Sequence, residues 1–314
     1  MRLHYSQFSL ENVLDAMDNL WSSHPQVDLV VTPEYLFYGA GDAGREYRDD
    51  PVVVDCHARR CKVSSIGTPK SDEIQQAIEA IRKVAAARGV NIVLGTVAEA
   101  VSVEGMNLTL NTQLIIDRHG AVVGKHQKYG IIYFRDERRD ACDTHPDLCQ
   151  RVNERILETL TSFSVRTSKG IRFTILPIIC GEKATPQVIE RLRGRQQYLV
   201  VSSDIDRDFD YEDFTLRIQA GEDPFGNAPV GSPEWLFKTV FIDPWMRAGA
   251  MRRDGYLLVS DSGLPKVGLI SMGLTPIEGL EISEGFLYGT IPTARDFPVS
   301  GEPAVGGPAS IAEP

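Results

Sequence analysis

Ile175-Leu176-Pro177-Ile178-Ile179-Cys180-Gly181-Glu182-Lys183 is the stretch on which the fold turns. An unbroken apolar run, the mark of a buried strand, stops at a thiol, a glycine and two charges. Pro186 follows as a turn or helix-start signal. A buried structural cysteine belongs inside such a run rather than at its polar edge. A thiol at the end of a buried strand lies at the mouth of the sheet, where α/β proteins keep their chemistry. A neighbouring helix N-terminus would lower its pKa and make it a nucleophile. Taken alone, the segment fits a core cysteine that caps a strand equally well, because cysteine is among the most buried residue types.

Val27-Asp28-Leu29-Val30-Val31-Thr32-Pro33-Glu34-Tyr35-Leu36-Phe37 repeats the pattern with a carboxylate at the end. Pro33 ends the sheet pairing, since proline cannot donate a ladder hydrogen bond. Glu34 is then followed by two aromatics and a leucine. In an apolar setting, desolvation raises a carboxyl's pKa towards that of a working base. By itself Glu34 also reads as an exposed loop glutamate. A third segment, Thr112–Lys128, places two strands around a turn at Arg118-His119-Gly120, a hairpin signal. It closes on two lysines, Lys125 and Lys128, which alone read as a solvated basic edge.

Taken in order and spacing, these segments resemble the carbon–nitrogen hydrolase (nitrilase) superfamily. Pro33-Glu34 is similar to that family's Pro-Glu pair, Gly124-Lys125-His126-Gln127-Lys128 to its lysine run, and Cys180 with Glu182 and Pro186 to its cysteine run. Weaker matches are Gln7, Asn111, the helix–Gly–strand step over 193–202, and the closing strand over 286–291. The resemblance spans residues 3–293. It implies an α/β fold of the αββα sandwich type, with a catalytic domain over 1–296; the Pro-, Gly-, Ala- and Ser-rich composition of 297–314 predicts a tail that is disordered or lies along a partner.

The resemblance also implies roles. Glu34 is the general base, Cys180 the nucleophile, and Lys128 the oxyanion donor with the backbone N–H of Gly181. A second glutamate between lysine and cysteine falls on Glu137, with Asp136 as runner-up, against a solvated charge cluster. Glu182 is expected to make a structural hydrogen bond beside the nucleophile. The implied activity is hydrolysis of a small amide through a thioester, with no metal or other cofactor. Two alternatives share the residues: a soluble N-acyltransferase using the same thioester, and a catalytically silent binding protein. The chain departs from the pattern at Gly181, where the family has an aromatic residue and nitrilases proper have tryptophan, so amides rank above nitriles. It departs again at His126 and Gln127, at Lys183, in an insertion over 138–162 with its own helix, and in the segment after Trp245.

Composition narrows the partners. A net charge of −10 without a long basic run disfavours nucleic acid. No stretch approaches a membrane span, and the N-terminus has no signal-peptide core. Five cysteines, an odd count without zinc-type pairing, fit reduced thiols in a cytoplasmic protein. For the 314-residue chain, helical and strand patterns alternate. Helices are expected over 9–22, with Ser9 as cap, over 71–88, capped by Ser71 and ended by Gly89, over 148–161, near 186–193 and over 234–254. Strands are expected over 27–32, 91–97, on both sides of the hairpin, over 198–203, 256–260 and 284–291, and long loops over 40–65 and 204–233. The aromatics Trp235, Phe237, Phe241 and Trp245, with Leu236, offer apolar surface for a homodimer or larger oligomer.

Overall fold

Hydrophobic runs that fill both faces of a strand need cover on both sides, and this chain supplies it in four layers. The computed structural model describes residues 14–15, 18–19, 21–22, 26–37, 50–57, 60–135, 140–205, 209–261, 266–283 and 286–291. The first sheet is built on β1 (Leu29–Val31), β4 (Asn91–Val103), β5 (Met106–Ile116) and β6 (Val122–Phe134), with β1 parallel to β4 and β4, β5 and β6 successively antiparallel. A hairpin of β2 (Val52–His57) and β3 (Arg60–Ser65) joins it through single residue pairs, Val52 with Glu99 and Cys61 with Val122. In the second sheet β7 (Phe163–Arg166), β8 (Arg172–Ile179), β9 (Gln197–Asp204), β10 (Met251–Asp261) and β11 (Lys266–Ser271) lie side by side in chain order. Its three central strands are parallel and its two edges antiparallel.

The sheets meet through Val93 and Ile115 on one side and Val165, Ile175, Leu199 and Val201 on the other. On the outer face of the first sheet lies α1 (Pro69–Arg88), whose Ile74, Ile78 and Ile81 pack on Ile92, Leu94 and Leu114. The outer face of the second sheet is covered by α4 (Pro186–Arg191), α5 (Tyr211–Gln219), α6 (Pro233–Phe237) and α7 (Asp243–Ala248), which enclose Leu176, Ile178, Val200 and Val259. The result is an αββα sandwich. Two further helices, α2 (Ala141–Thr144) and α3 (Pro146–Thr159), occupy the segment read as an insertion and pack Leu148, Val152 and Ile156 on Leu110, Ile132 and Phe134. A small pair, β12 (Glu281–Ser283) and β13 (Phe286–Tyr288), ends the described chain.

Several local expectations are corrected. Residues 52–57 and 60–65 are the strands of the β2/β3 hairpin rather than loop: Val52, Val54, Cys61 and Val63 point inward, and Asp55, Arg60 and Lys62 are exposed. Thr68, not Ser71, caps α1; Ser71 returns a hydrogen bond from the third helical position, completing a capping box. The expected loop over 204–233 contains α5, and the expected helix over 234–254 stops at Gly249, in the left-handed conformation, before β10. The closing strand is short, Phe286–Tyr288. Of the helix over 9–22, residues 14–15, 18–19 and 21–22 are described and helical. Ser9, Gln7 and the tail over 297–314 lie outside the described residues.

Four of the five cysteines are paired. Cys56 and Cys61 bridge the β2/β3 hairpin, Cys142 and Cys149 bridge α2 and α3, and Cys180 is free. The expectation of reduced thiols is overturned, and the argument for a cytoplasmic location that rested on it falls too. Among the described residues no helix is long and apolar enough to cross a membrane. The aromatic interface argument is corrected as well. Phe237, Phe241 and Trp245 are fully buried in the protomer's own core, where Phe237 and Phe241 stack at 5.1 Å and Phe241 and Trp245 at 5.2 Å between ring centroids. Leu236 and Val240 remain exposed.

Candidate active site

The segments that follow β1 and β8 and the middle of β6 converge between the sheets. Glu34 follows β1 in a tight turn over 34–37, where the Tyr35 N–H donates to Thr96 Oγ1 at 3.0 Å. Gly95 is what lets that turn approach β4: a Cβ there would stand 1.7 Å from the Pro33 carbonyl oxygen. Thr32 Oγ1 accepts the Gly95 N–H at 2.6 Å, which ties the two backbones together. Lys128 comes from β6, on the face that looks towards the second sheet. Cys180 directly follows β8 and opens a 3-10 turn, Cys180–Ala184. Its φ of +49° is left-handed, a conformation that costs a non-glycine residue roughly 1–3 kcal/mol and persists only where surrounding contacts impose it.

Glu34, Lys128 and Cys180 are brought together. Glu34 is fully buried, and its Oε1 accepts from Lys128 Nζ at 2.7 Å and from Asn111 Nδ2 at 2.5 Å. Oε2 has no hydrogen-bond partner, and the Cys180 thiol lies close enough to act on the carboxyl's pKa. Burial pushes the Glu34 carboxyl above its ordinary value; Lys128 opposes this, and the charge of Asp204 adds to it. Burial works against the Lys128 ammonium too, yet the Glu34 charge, Cys180, Tyr35 and the Glu34 hydrogen bond outweigh it, so its pKa is raised and it stays protonated. Burial pushes the Cys180 thiol up to about 11, with Lys128 pulling it down, Asp204 and Glu34 pushing it up, and Lys183 pulling it down. The expectation of a thiol activated by a lowered pKa is therefore corrected. Five residues of 3-10 turn supply too small a dipole to offset desolvation, so the thiol depends on a base.

The remaining expected residues are placed as follows. Gly181 is exposed in the first turn after the thiol, and open space surrounds the position a Cβ would take. Glu182 is buried and clamps the site: Oε1 accepts the Tyr129 N–H, and Oε2 accepts the Ile179 N–H and meets His126 Nε2, each at 2.7 Å. One carboxylate thus ties the strand that carries Lys128 to the strand that carries Cys180. Glu137 and Asp136 lie outside the described residues. Lys125 points to the opposite face of β6, where it pairs with Glu99 and donates to the Val54 carbonyl at 2.8 Å. Asn111, a weak match in the sequence, proves to be the second donor to Glu34.

Sequence reasoning missed two groups. Lys183, read only as a departure from the family pattern, is buried and donates to the Cys180 carbonyl at 3.0 Å and to Asp204 Oδ2 at 2.5 Å. Asp204 ends β9 beside Cys180's strand and also accepts from Tyr211 at 2.9 Å and from Ser202. The signal was present: Cys180 directly follows parallel strand β8, and its neighbours β9 and β10 end in Asp204 and Asp261, a polar row at the carboxyl edge of the sheet. Among the described residues no three His, Cys, Asp or Glu side chains are grouped so as to hold a metal ion.

The sequence pattern of the carbon–nitrogen hydrolase family matches residues 6–209. No curated protein sequence matches the chain closely enough to count as a relative. Similar solved structures include Saccharomyces cerevisiae Nit3, a member of branch 10 of the nitrilase superfamily, with 15% identity over 80% of this chain and 68% of that one and a TM-score of 0.44. An amidase from Nesterenkonia sp. has 12% identity over 85% of this chain and 78% of its own, with a TM-score of 0.44. A variant of the amidase from Nesterenkonia AN1 has 13% identity over 90% and 81%, with a TM-score of 0.47. Likenesses this distant carry no argument about chemistry.

Proposed function

The chain belongs to the carbon–nitrogen hydrolase family, and from that premise we propose that it is a thiol-dependent amidase acting on a small amide. The observation that carries this reading is one buried carboxylate, Glu34, with Oε1 on the Lys128 ammonium, Oε2 unsatisfied, and the Cys180 thiol close enough to act on its pKa. With the thiol pKa near 11, thiolate is scarce at neutral pH and a base must take the proton as the sulfur attacks. Glu34, its own pKa raised by burial, is matched to that task.

In the proposed cycle Cys180 Sγ forms a bond to the amide carbon while its proton passes to Glu34. The oxyanion is held by Lys128 and the Gly181 N–H. Glu34 returns the proton to the departing nitrogen, the C–N bond breaks, and a thioester remains. Water then gives a proton to Glu34 and its oxygen to the acyl carbon, releasing the acid and restoring the thiol. Lys128 stays charged throughout, so it stabilises developing negative charge without giving up its proton. Gly181 stands where nitrilases proper carry tryptophan, which supports amides over nitriles.

The test is mass spectrometry of the intact protein after incubation with a panel of small amides and nitriles, with ammonia release measured in parallel. The expected result is an acyl adduct on Cys180 and ammonia from amides. Ammonia release that persists in Cys180→Ala would overturn the assignment. We also propose a homodimer or larger assembly, for which exposed Leu236 and Val240 are the remaining apolar contacts on the 233–248 segment. Sedimentation at micromolar concentration that finds monomer alone rejects it.

A further inference from the structure

A nucleophile held in left-handed backbone needs something to hold it there, and the contacts around Cys180 identify what does. Glu182 fixes the residue before it through the Ile179 N–H. On the other side the Cys180 carbonyl accepts from Lys183 Nζ at 3.0 Å. That ammonium is in turn anchored: Asp204 Oδ2 lies 2.5 Å away, the Tyr211 ring lies beneath it at 5.7 Å, and the backbone carbonyl of Lys183 accepts from Trp245 Nε1 at 2.7 Å. Asp204 is itself fixed by the Tyr211 hydroxyl and Ser202. Lys183 and Asp204 are both almost wholly buried. A buried ion pair is a poor source of net stability, since desolvation consumes most of its attraction. Its position against the nucleophile's own carbonyl is the feature that sets it apart.

We propose that Lys183 and Asp204 are positioning residues for the nucleophile: the Lys183 ammonium, held by the Asp204 carboxylate, grips the Cys180 carbonyl and fixes the backbone that presents the thiol to Glu34 and Lys128. This rests on Cys180 being the nucleophile. It gives a role to a lysine and an aspartate that the proton-transfer cycle does not use. The pair also sets the field at the sulfur. The charged or titratable groups acting on the thiol are Lys128 from β6, Asp204 from β9, Glu34 from the turn after β1 and Lys183 from the 3-10 turn, with opposite signs for the two members of the pair.

The probe is iodoacetamide, which alkylates Cys180, the one free cysteine among the described residues, and requires no turnover. Intact-mass rates are measured against pH for the full chain and for Lys183→Met and Asp204→Asn, with circular dichroism to check folding. Both variants should lose roughly tenfold or more in the plateau rate at high pH, the scale of loss that misplacing a reacting group brings. Their midpoints should move in opposite directions, up in pH for Lys183→Met and down for Asp204→Asn. An unchanged plateau in either folded variant overturns the proposal, and so do midpoints that move the same way, which would indicate general loosening. If a single variant fails to fold, the double variant Lys183→Met/Asp204→Asn, which leaves no unpaired buried charge, is read instead. It should fold and show the reduced plateau. A wild-type plateau, or failure of the double to fold, makes the pair structural and overturns the proposal. Failure of the amidase reading would show differently, as no acyl adduct from any amide, with the alkylation profiles still readable.

Discussion

Strand β6 carries two lysines, three residues apart and on opposite faces, each paired with a buried glutamate. Lys128 pairs with Glu34 between the sheets; Lys125 pairs with Glu99 on the outer side. In residue type and burial of the carboxylate they are near duplicates. They differ in what is left over. Both oxygens of Glu99 are occupied, Oε1 by Lys125 and Oε2 by Thr112 and Gln127 at 2.8 and 2.9 Å. Glu34 receives its N–H donors on Oε1 alone; its Oε2 has no partner, and the Cys180 thiol is near enough to act on the carboxyl. A satisfied carboxylate is a fastener. A carboxylate with one unsatisfied oxygen, a raised pKa and a nucleophile alongside is equipped to move a proton.

The comparison can be broken most decisively at the group that only one pair has. Cys180→Ala should abolish turnover and acyl-adduct formation while the denaturant midpoint holds, checked by ammonia release and urea unfolding. Next are the carboxylates. Glu34→Gln should slow acylation by about 10²–10⁴-fold, the usual worth of a positioned base, in rapid-quench measurement of the adduct. Glu99→Gln should leave acylation near wild type. Equal losses would show that the two pairs do the same work.

The lysines follow. Lys128→Ala should lower kcat by about 10²–10³-fold, the cost of one oxyanion donor. Lys125→Ala should spare kcat and lower stability instead. That loss should be smaller than the ~3–5 kcal/mol of a fully buried broken pair, because the Lys125 side chain is 23% exposed and partly screened. Denaturant unfolding of both variants beside steady-state kinetics checks the crossover.

Smaller effects sharpen the same contrast. In the proposed cycle activity requires Glu34 ionised, so it should be present above the carboxyl's folded pKa and lost as pH falls through it. Because burial raises that pKa, the acid limb of kcat/KM should lie above the ~4.3 of an ordinary glutamate. A limb at or below that value would remove Glu34 as the base. The least effect is expected from Asn111→Ala. It deletes a donor to the ionised carboxylate, so the acid limb should move further up in pH with a modest loss of rate.

Much of this site could be read from residue order because its parts sit at abrupt changes of pattern. An apolar run that stops at Cys180, and another that stops at Pro33-Glu34, locate strand ends without any knowledge of pairing. The choice of Lys128 over Lys125 came from the family register, and the alternation of β6 explains it physically: residues an odd number apart face opposite sides of a strand. What stayed hidden depends on contacts across the chain. Lys183 read only as a departure from the family pattern, because its partner Asp204 lies on the next strand of the sheet and only strand pairing brings them together. The Cys56–Cys61 bridge required knowing that Val52–His57 and Arg60–Ser65 pair antiparallel with those two residues opposite each other. The aromatics over 235–245 could face a partner or the core with the same periodicity, and the core claimed Phe237, Phe241 and Trp245.

Gly95 gives a warning to anyone who maps this protein by saturation mutagenesis. With the Pro33 carbonyl oxygen 1.7 Å from where a methyl would stand, every replacement there must displace the backbone that leads into Glu34. In a screen scored on activity it will rank with Cys180 and be mistaken for a participant in the chemistry. It contributes no side chain at all. A screen scored in parallel on expression level would tell the two apart, since loss at Gly95 should register in both readouts and loss at Cys180 in activity alone.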